Sequence, residues 1–254
     1  MVSQNDSNLP PRHKQPAGAV PTQANPEGVE DSLSTEYRVL FDKAIELGKA
    51  GDLEGAANVA RKAIKASEAQ GGIHEASIIL TFLPALFPAS QPNEALKLAY
   101  RVVELAEGRP NCEYLVSNAR FFSMQALIRA DQKPAALNEA EACVLAGKAS
   151  RTHCKWLATA WRYYGMLLAL NGKMPEALLA LSNAIDLAKS KPTDDPLAMA
   201  RAQDAMGRSL IEMGELKRGL SSLLNAMEEF RKHGSRGAKE AEILSMFITA
   251  VSAD

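Results

Sequence analysis

Leucines recur along this 254-residue chain at a spacing near forty: Leu47, Leu86, Leu127, Leu168 and Leu210, separated by 39, 41, 41 and 42 residues. A second column keeps the same phase, with Ala56, Ala95, Ala136, Ala177 and Gly219. Two columns that hold register over five turns of the pattern restrict the chain to a stacked array of small equivalent units. Such an array favours an extended binding surface over a single catalytic centre.

The units read as helix pairs. Alanine and leucine dominate a composition that is 46% hydrophobic but only 6% aromatic, and both residues lose little side-chain freedom in a helix. In the fourth unit Trp161, Tyr164, Gly165 and Leu168 fall at helical spacing. Asn171-Gly172-Lys173 then breaks the helix, and Pro175 opens the next one, where its missing N–H costs nothing. Ala177, Leu178, Leu181, Ala184 and Ile185 mark the apolar face of that second helix. The same face returns in the other units, for example as Ala136, Leu137, Ala140, Cys143 and Val144.

On these residues the chain resembles the tetratricopeptide repeat family. The pattern of that family includes W-x2-L-G-x2-Y followed by Ala and Phe positions. Trp161, Tyr164, Gly165, Leu168, Ala177, Leu181 and Ala184 match its phase, as do Met206, Gly207, Leu210, Leu223 and Ala226. The family period is about 34 residues, so this is a long-period variant whose extra residues fall between units, as at 110–113 and 191–196. The resemblance implies an all-α, right-handed superhelical solenoid of five helix-turn-helix units. A helix beginning near Ala238 is expected to cap the open end, or to be the first half of a sixth unit. Pro84, inside the first helix of the second unit, is expected to bend or loosen the array.

Residues 1–34 carry Pro10, Pro11, Pro16, Pro21 and Pro26 among polar residues. They bury too little apolar surface to offset ordering, so a disordered tail is expected there and the repeat domain over 35–252. No apolar leader follows Met1, and the most apolar run, 78–89, is too short to span a bilayer. A cytoplasmic protein is expected, with Cys112, Cys143 and Cys154 reduced. A net charge of −1 argues against nucleic acid or an anionic membrane as partner.

Enzyme signatures do not survive inspection. Gly165 and Gly172-Lys173 have the wrong spacing for a phosphate loop, and Met174 stands where Ser or Thr is required. His74-Glu75 begins like a zinc-protease motif, but Ile78 replaces the second His. His153-Cys154 lacks further donors for a tetrahedral metal. Catalytic residues, metal ligands and cofactors are therefore not expected.

What remains is a surface. In superhelices of this family the first helix of each unit lines the concave face. Aligning the units places Arg38, Phe41, Leu80, Phe87, Asn118, Phe121, Gln125 and Arg129 inward, followed by Arg162, Met166, Arg201, Asp204, Arg208 and Ile211. Arginines at 129, 162, 201 and 208 favour an acidic protein or peptide segment, unless they pair with nearby Asp and Glu. Phe41, Phe87 and Phe121 either hold an apolar partner surface or pack between units. The carboxylate clamp found in part of the family is not carried over, because Phe41 and Ile45 occupy its positions. The expected function is non-catalytic binding of a protein or peptide on the concave face. The alternative is a sensory or regulatory module of a bacterial-type signalling system whose output domain is separate or lost.

Overall fold

The structure, a computed structural model, describes residues 39–87, 92–191, 193 and 195–253. The expected tail at 1–34 and Arg38 lie outside these residues. Among the described residues there are eleven α-helices, one short 3-10 turn and no strand. Five helix pairs follow one another: α1 (39–49) with α2 (Leu53–Ser67), α3 (Gly72–Leu86) with α4 (Pro92–Ala106), α5 (Glu113–Arg129) with α6 (Lys133–Ala149), α7 (Leu157–Leu170) with α8 (Met174–Ser190), and α9 (Ala198–Glu212) with α10 (Leu216–Lys232). The turn Gly234–Arg236 leads into α11 (Ala238–Ala253), which packs on α10.

The leucine column exists because of the turns. In four units the leucine carbonyl accepts a hydrogen bond from the N–H five residues on: Asp52 to Leu47 at 2.9 Å, Gln132 to Leu127 at 2.9 Å, Lys173 to Leu168 at 3.0 Å and Glu215 to Leu210 at 2.9 Å. The residue before each donor is left-handed, with φ of 85° at Gly51, 55° at Asp131, 73° at Gly172 and 80° at Gly214. Its own N–H bonds the carbonyl three residues back. These two bonds define a Schellman termination, which satisfies carbonyls orphaned at the helix end. Each donor residue then starts the second helix by accepting from the small-residue column: Ala56, Ala136, Ala177 and Gly219 bond back to the carbonyls of Asp52, Gln132, Lys173 and Glu215. Both columns are thus anchored to one turn geometry.

Small residues let the paired helices approach. A Cβ on Gly165 would stand 2.7 Å from Leu181 Cγ and 3.1 Å from the Ala177 carbonyl oxygen, and one on Gly207 would stand 2.6 Å from Leu223 Cδ2. The core runs through Ala57, Ala60, Ile79, Phe82 and Leu83, then Met124, Ala140, Cys143 and Val144, and on to Leu223, Phe230 and Leu244. Cys143 is wholly buried, and its desolvation pushes the thiol up to about 12. The other two cysteines are also buried, and all three are free.

Direct packing of α3 on α5 and of α7 on α9 makes the first helices the inner layer. Second helices reach one another through long side chains: Arg61 of α2 bonds Glu94 of α4 at 2.8 Å, and the Tyr100 hydroxyl of α4 meets Glu139 of α6 at 3.4 Å. The array therefore curves toward the first-helix side. The helix α3 continues through Pro84, which is exposed and sits in its last turn. The Phe87 N–H closes that turn on the Leu83 carbonyl at 3.0 Å. A proline two residues from a helix end disturbs little of the ladder beyond it.

Candidate functional site

Residues of α7, α9 and α11, with Phe230 of α10, line an open cavity of about 420 Å³. The helical repeat places Arg162, Met166 and Leu170 on one stripe of α7, four residues apart. From α9 come Arg201, Asp204 and Arg208, and from α11 come Glu240, Ile243 and Leu244. Position 42 residues on from Arg162 is Asp204, and 42 on from Met166 is Arg208, so the cavity is built from equivalent registers of neighbouring units. Met166, Leu170 and Ile243 are exposed apolar residues, and they stand beside the half-buried charges Arg162, Arg201, Asp204, Arg208 and Glu240.

α11 is held against this wall by two contacts. Arg201 bonds Asp195 at 2.8 Å and Glu240 of α11 at 3.2 Å. Arg208 bonds Asp204 at 2.7 Å and sets its guanidinium 4.3 Å from the centre of the Phe247 ring. Burial alone would lower the Arg201 guanidinium, but Asp195 and Glu240 outweigh it and hold the group above its ordinary value. Arg162 differs. It lies 4.2 Å over the Tyr163 ring and touches the Met166 sulfur at 3.3 Å, while its Nε is shielded from water with no acceptor. Among the described residues no carboxylate lies within ion-pair distance of it.

The structure thus brings together Arg162, Met166, Arg201, Asp204 and Arg208 of the sequence-predicted residues. The others stand elsewhere and in different environments. Phe41 packs edge-on against Phe82 at 5.9 Å. Phe87 lies 5.9 Å from Phe122 and under the Arg129 guanidinium, 4.7 Å away, and Arg129 also donates to the Phe87 carbonyl. Phe121 is buried in the core beside Phe122. Asn118 and Gln125 are half-buried on α5. Sequence reasoning missed Leu170, Ile243 and Glu240. Leu170 is one helical step from Met166, whereas the residues of α11 belong to a segment expected either to cap the open end or to begin a sixth unit, with no lining role.

A second cavity, of about 490 Å³, lies by the α6–α7 connection, with Lys148, Arg151 and Lys191 on its rim. These cations sit at or just past the C-terminal ends of α6 and α8, where they complement the negative helix dipoles. Among the described residues no helix is long and apolar enough to cross a membrane.

No protein-family model and no curated protein matches the chain. Solved structures do. BtubC (BKLC) from P. vanneervenii superposes with a TM-score of 0.68 at 11% identity, over 82% of this chain and 84% of that one. The apo form of RapI gives 0.67 at 16% identity, over 78% and 71%. The nearly identical TPR-like repeats of a Podosopora anserina putative kinesin light chain give 0.61 at 16%, over 79% and 97%. The chain is a TPR-like helical solenoid.

Proposed function

We propose that this solenoid is a non-catalytic scaffold that binds a protein or peptide segment along its first-helix face, with the C-terminal cavity as the principal contact. The observation that carries this reading is the cavity between α7, α9 and α11, where exposed apolar side chains stand beside half-buried charged ones. Large apolar residues left open beside arginine are the composition of interface anchors. Exposed Met, Leu and Ile accept side chains of varied shape, and the neighbouring charges select and orient them. The favoured partner segment is acidic, because the cavity holds an arginine that no carboxylate among the described residues neutralises.

Leu170 and Leu179 provide a matched test, since each is 66% exposed. Leu170 lines the cavity and Leu179 lies on α8, outside it. A photo-crosslinking residue at position 170 is expected to form adducts with bound protein in native lysate, and one at position 179 to form none. Equal labelling from both positions, or labelling from 179 alone, removes the first-helix face as the binding surface.

A further inference from the structure

Four arginines line or approach the inner wall, and they are not equivalent. Arg201 is shared between Asp195 and Glu240, Arg208 is spent on Asp204 and Phe247, and Arg129 is folded onto Phe87. Arg162 alone of the four keeps a shielded Nε without an acceptor, and its nearest polar neighbour within reach is a thioether sulfur, a weak acceptor. A guanidinium offers five donors in a planar fork matched to a carboxylate. Inside a concave, partly dry site that unmet capacity selects an anion.

The rest of the cavity sets the direction in which a ligand must lie. Glu212, at the far end of the α9 wall, has no ion-pair partner among the described residues, and it is 42 residues on from Leu170. Positive potential is therefore uncompensated at the Arg162 end and negative potential at the Leu170 end. Between them Arg162, Met166 and Leu170 step along α7 at intervals of about 6 Å, four residues at 1.5 Å each. Same-side residues of an extended chain are spaced about 6.6 Å apart, a close match.

Resting on the reading that this cavity binds a peptide, we propose that Arg162 is its anion-recognising residue and that its ligand is an extended segment with a carboxylate side chain and apolar side chains two and four positions away from it. The carboxylate meets Arg162, the first apolar side chain covers Met166, and the second enters between Leu170 and Ile243. Glu212 excludes a pose with the carboxylate at the Leu170 end.

The test uses two end-blocked fluorescent peptides on the full chain: Glu-Ser-Leu-Ser-Leu and its Gln-first counterpart. Anisotropy titrations are expected to show the first binding at least tenfold more tightly than the second. Arg162→Gln should collapse that ratio toward one while leaving helical content unchanged, and Arg162→Lys should keep part of it. A wild-type protein that does not discriminate, a ratio unaffected by Arg162→Gln, or no binding of any peptide overturns the proposal. Adducts from position 170 in lysate distinguish the two readings: if they form while the ratio fails, the cavity still binds protein but by other chemistry.

Discussion

Around α3 and α5 the inner wall is closed by aromatic rings, whereas around α7, α9 and α11 it stands open. Phe41 is against Phe82, Phe87 is clasped by Phe122 and Arg129, and Phe121 is buried. At the register of Phe121 the next two units carry Arg162 and Asp204, 41 and 42 residues on. The same helical position is thus core in one unit and cavity lining in two others. A ring can satisfy itself on its neighbours, and a guanidinium or carboxylate must keep a polar face. The open end of the wall is open because its registers hold residues that cannot be packed away.

The largest expected effect tests that contrast directly. Phe121→Ala removes a buried ring and should cost about 3–5 kcal/mol of stability. Leu170→Ala, on the open side, should stay within about 0.5 kcal/mol. Urea denaturation followed by circular dichroism measures both. Similar costs at the two sites would erase the distinction between a filled and an open wall.

The two regions also divide the volume within each helix pair differently. Positions sixteen apart face each other across the hairpin, as Gly165 does Leu181 and Gly207 does Leu223. The corresponding pairs earlier in the chain are Leu83 with Ala99 and Met124 with Ala140, all wholly buried. Bulk lies on the first helix in the second and third units and on the second helix in the fourth and fifth. Ala140→Leu alone should overpack the third unit by about 1–3 kcal/mol. Met124→Gly alone should cost about 2–5 kcal/mol through a cavity. If volume is exchanged between facing positions, the double variant should recover at least about 1 kcal/mol relative to their sum. Strict additivity in a urea-melt cycle would break this part of the comparison.

Much of the architecture was legible because it rests on constraints written in residue type. The leucine and small-residue columns mark hydrogen-bonded turns and close helix approaches, and Gly51, Gly172 and Gly214 announce the left-handed residue. The fate of an aligned aromatic was not legible. Whether Phe121 faces partner or core depends on what the adjacent helix offers it, and Phe122 and the surrounding core are set by packing across units. The pairing of arginines was equally hidden, since Glu240 lies 39 residues from Arg201 and reaches it only because α11 folds back. Arg162 stands out in the sequence as an aligned position, but that no carboxylate among the described residues reaches it is a property of three helices together.

The smallest effects compare the turns of the third and fourth units. Both end their first helix with a left-handed residue, Asp131 in one and Gly172 in the other. A Cβ on Gly172 would meet nothing within 4 Å, so Gly172→Ala isolates the backbone penalty, about 1–2 kcal/mol for a left-handed L-residue. Asp131→Gly runs the other way. It relieves that penalty, in part already softened by the short polar side chain, and sacrifices an ion pair with Lys133 that is 3.1 Å long and largely solvent-exposed. Exposed pairs contribute about 0–1 kcal/mol, and glycine adds chain entropy to the unfolded state. The net expectation is a gain of about 0.5 kcal/mol, smaller than the Gly172→Ala loss and opposite in sign. Thermal melts of the two variants should move in opposite directions; a destabilised Asp131→Gly would mean that the aspartate contributes more to this turn than its geometry costs.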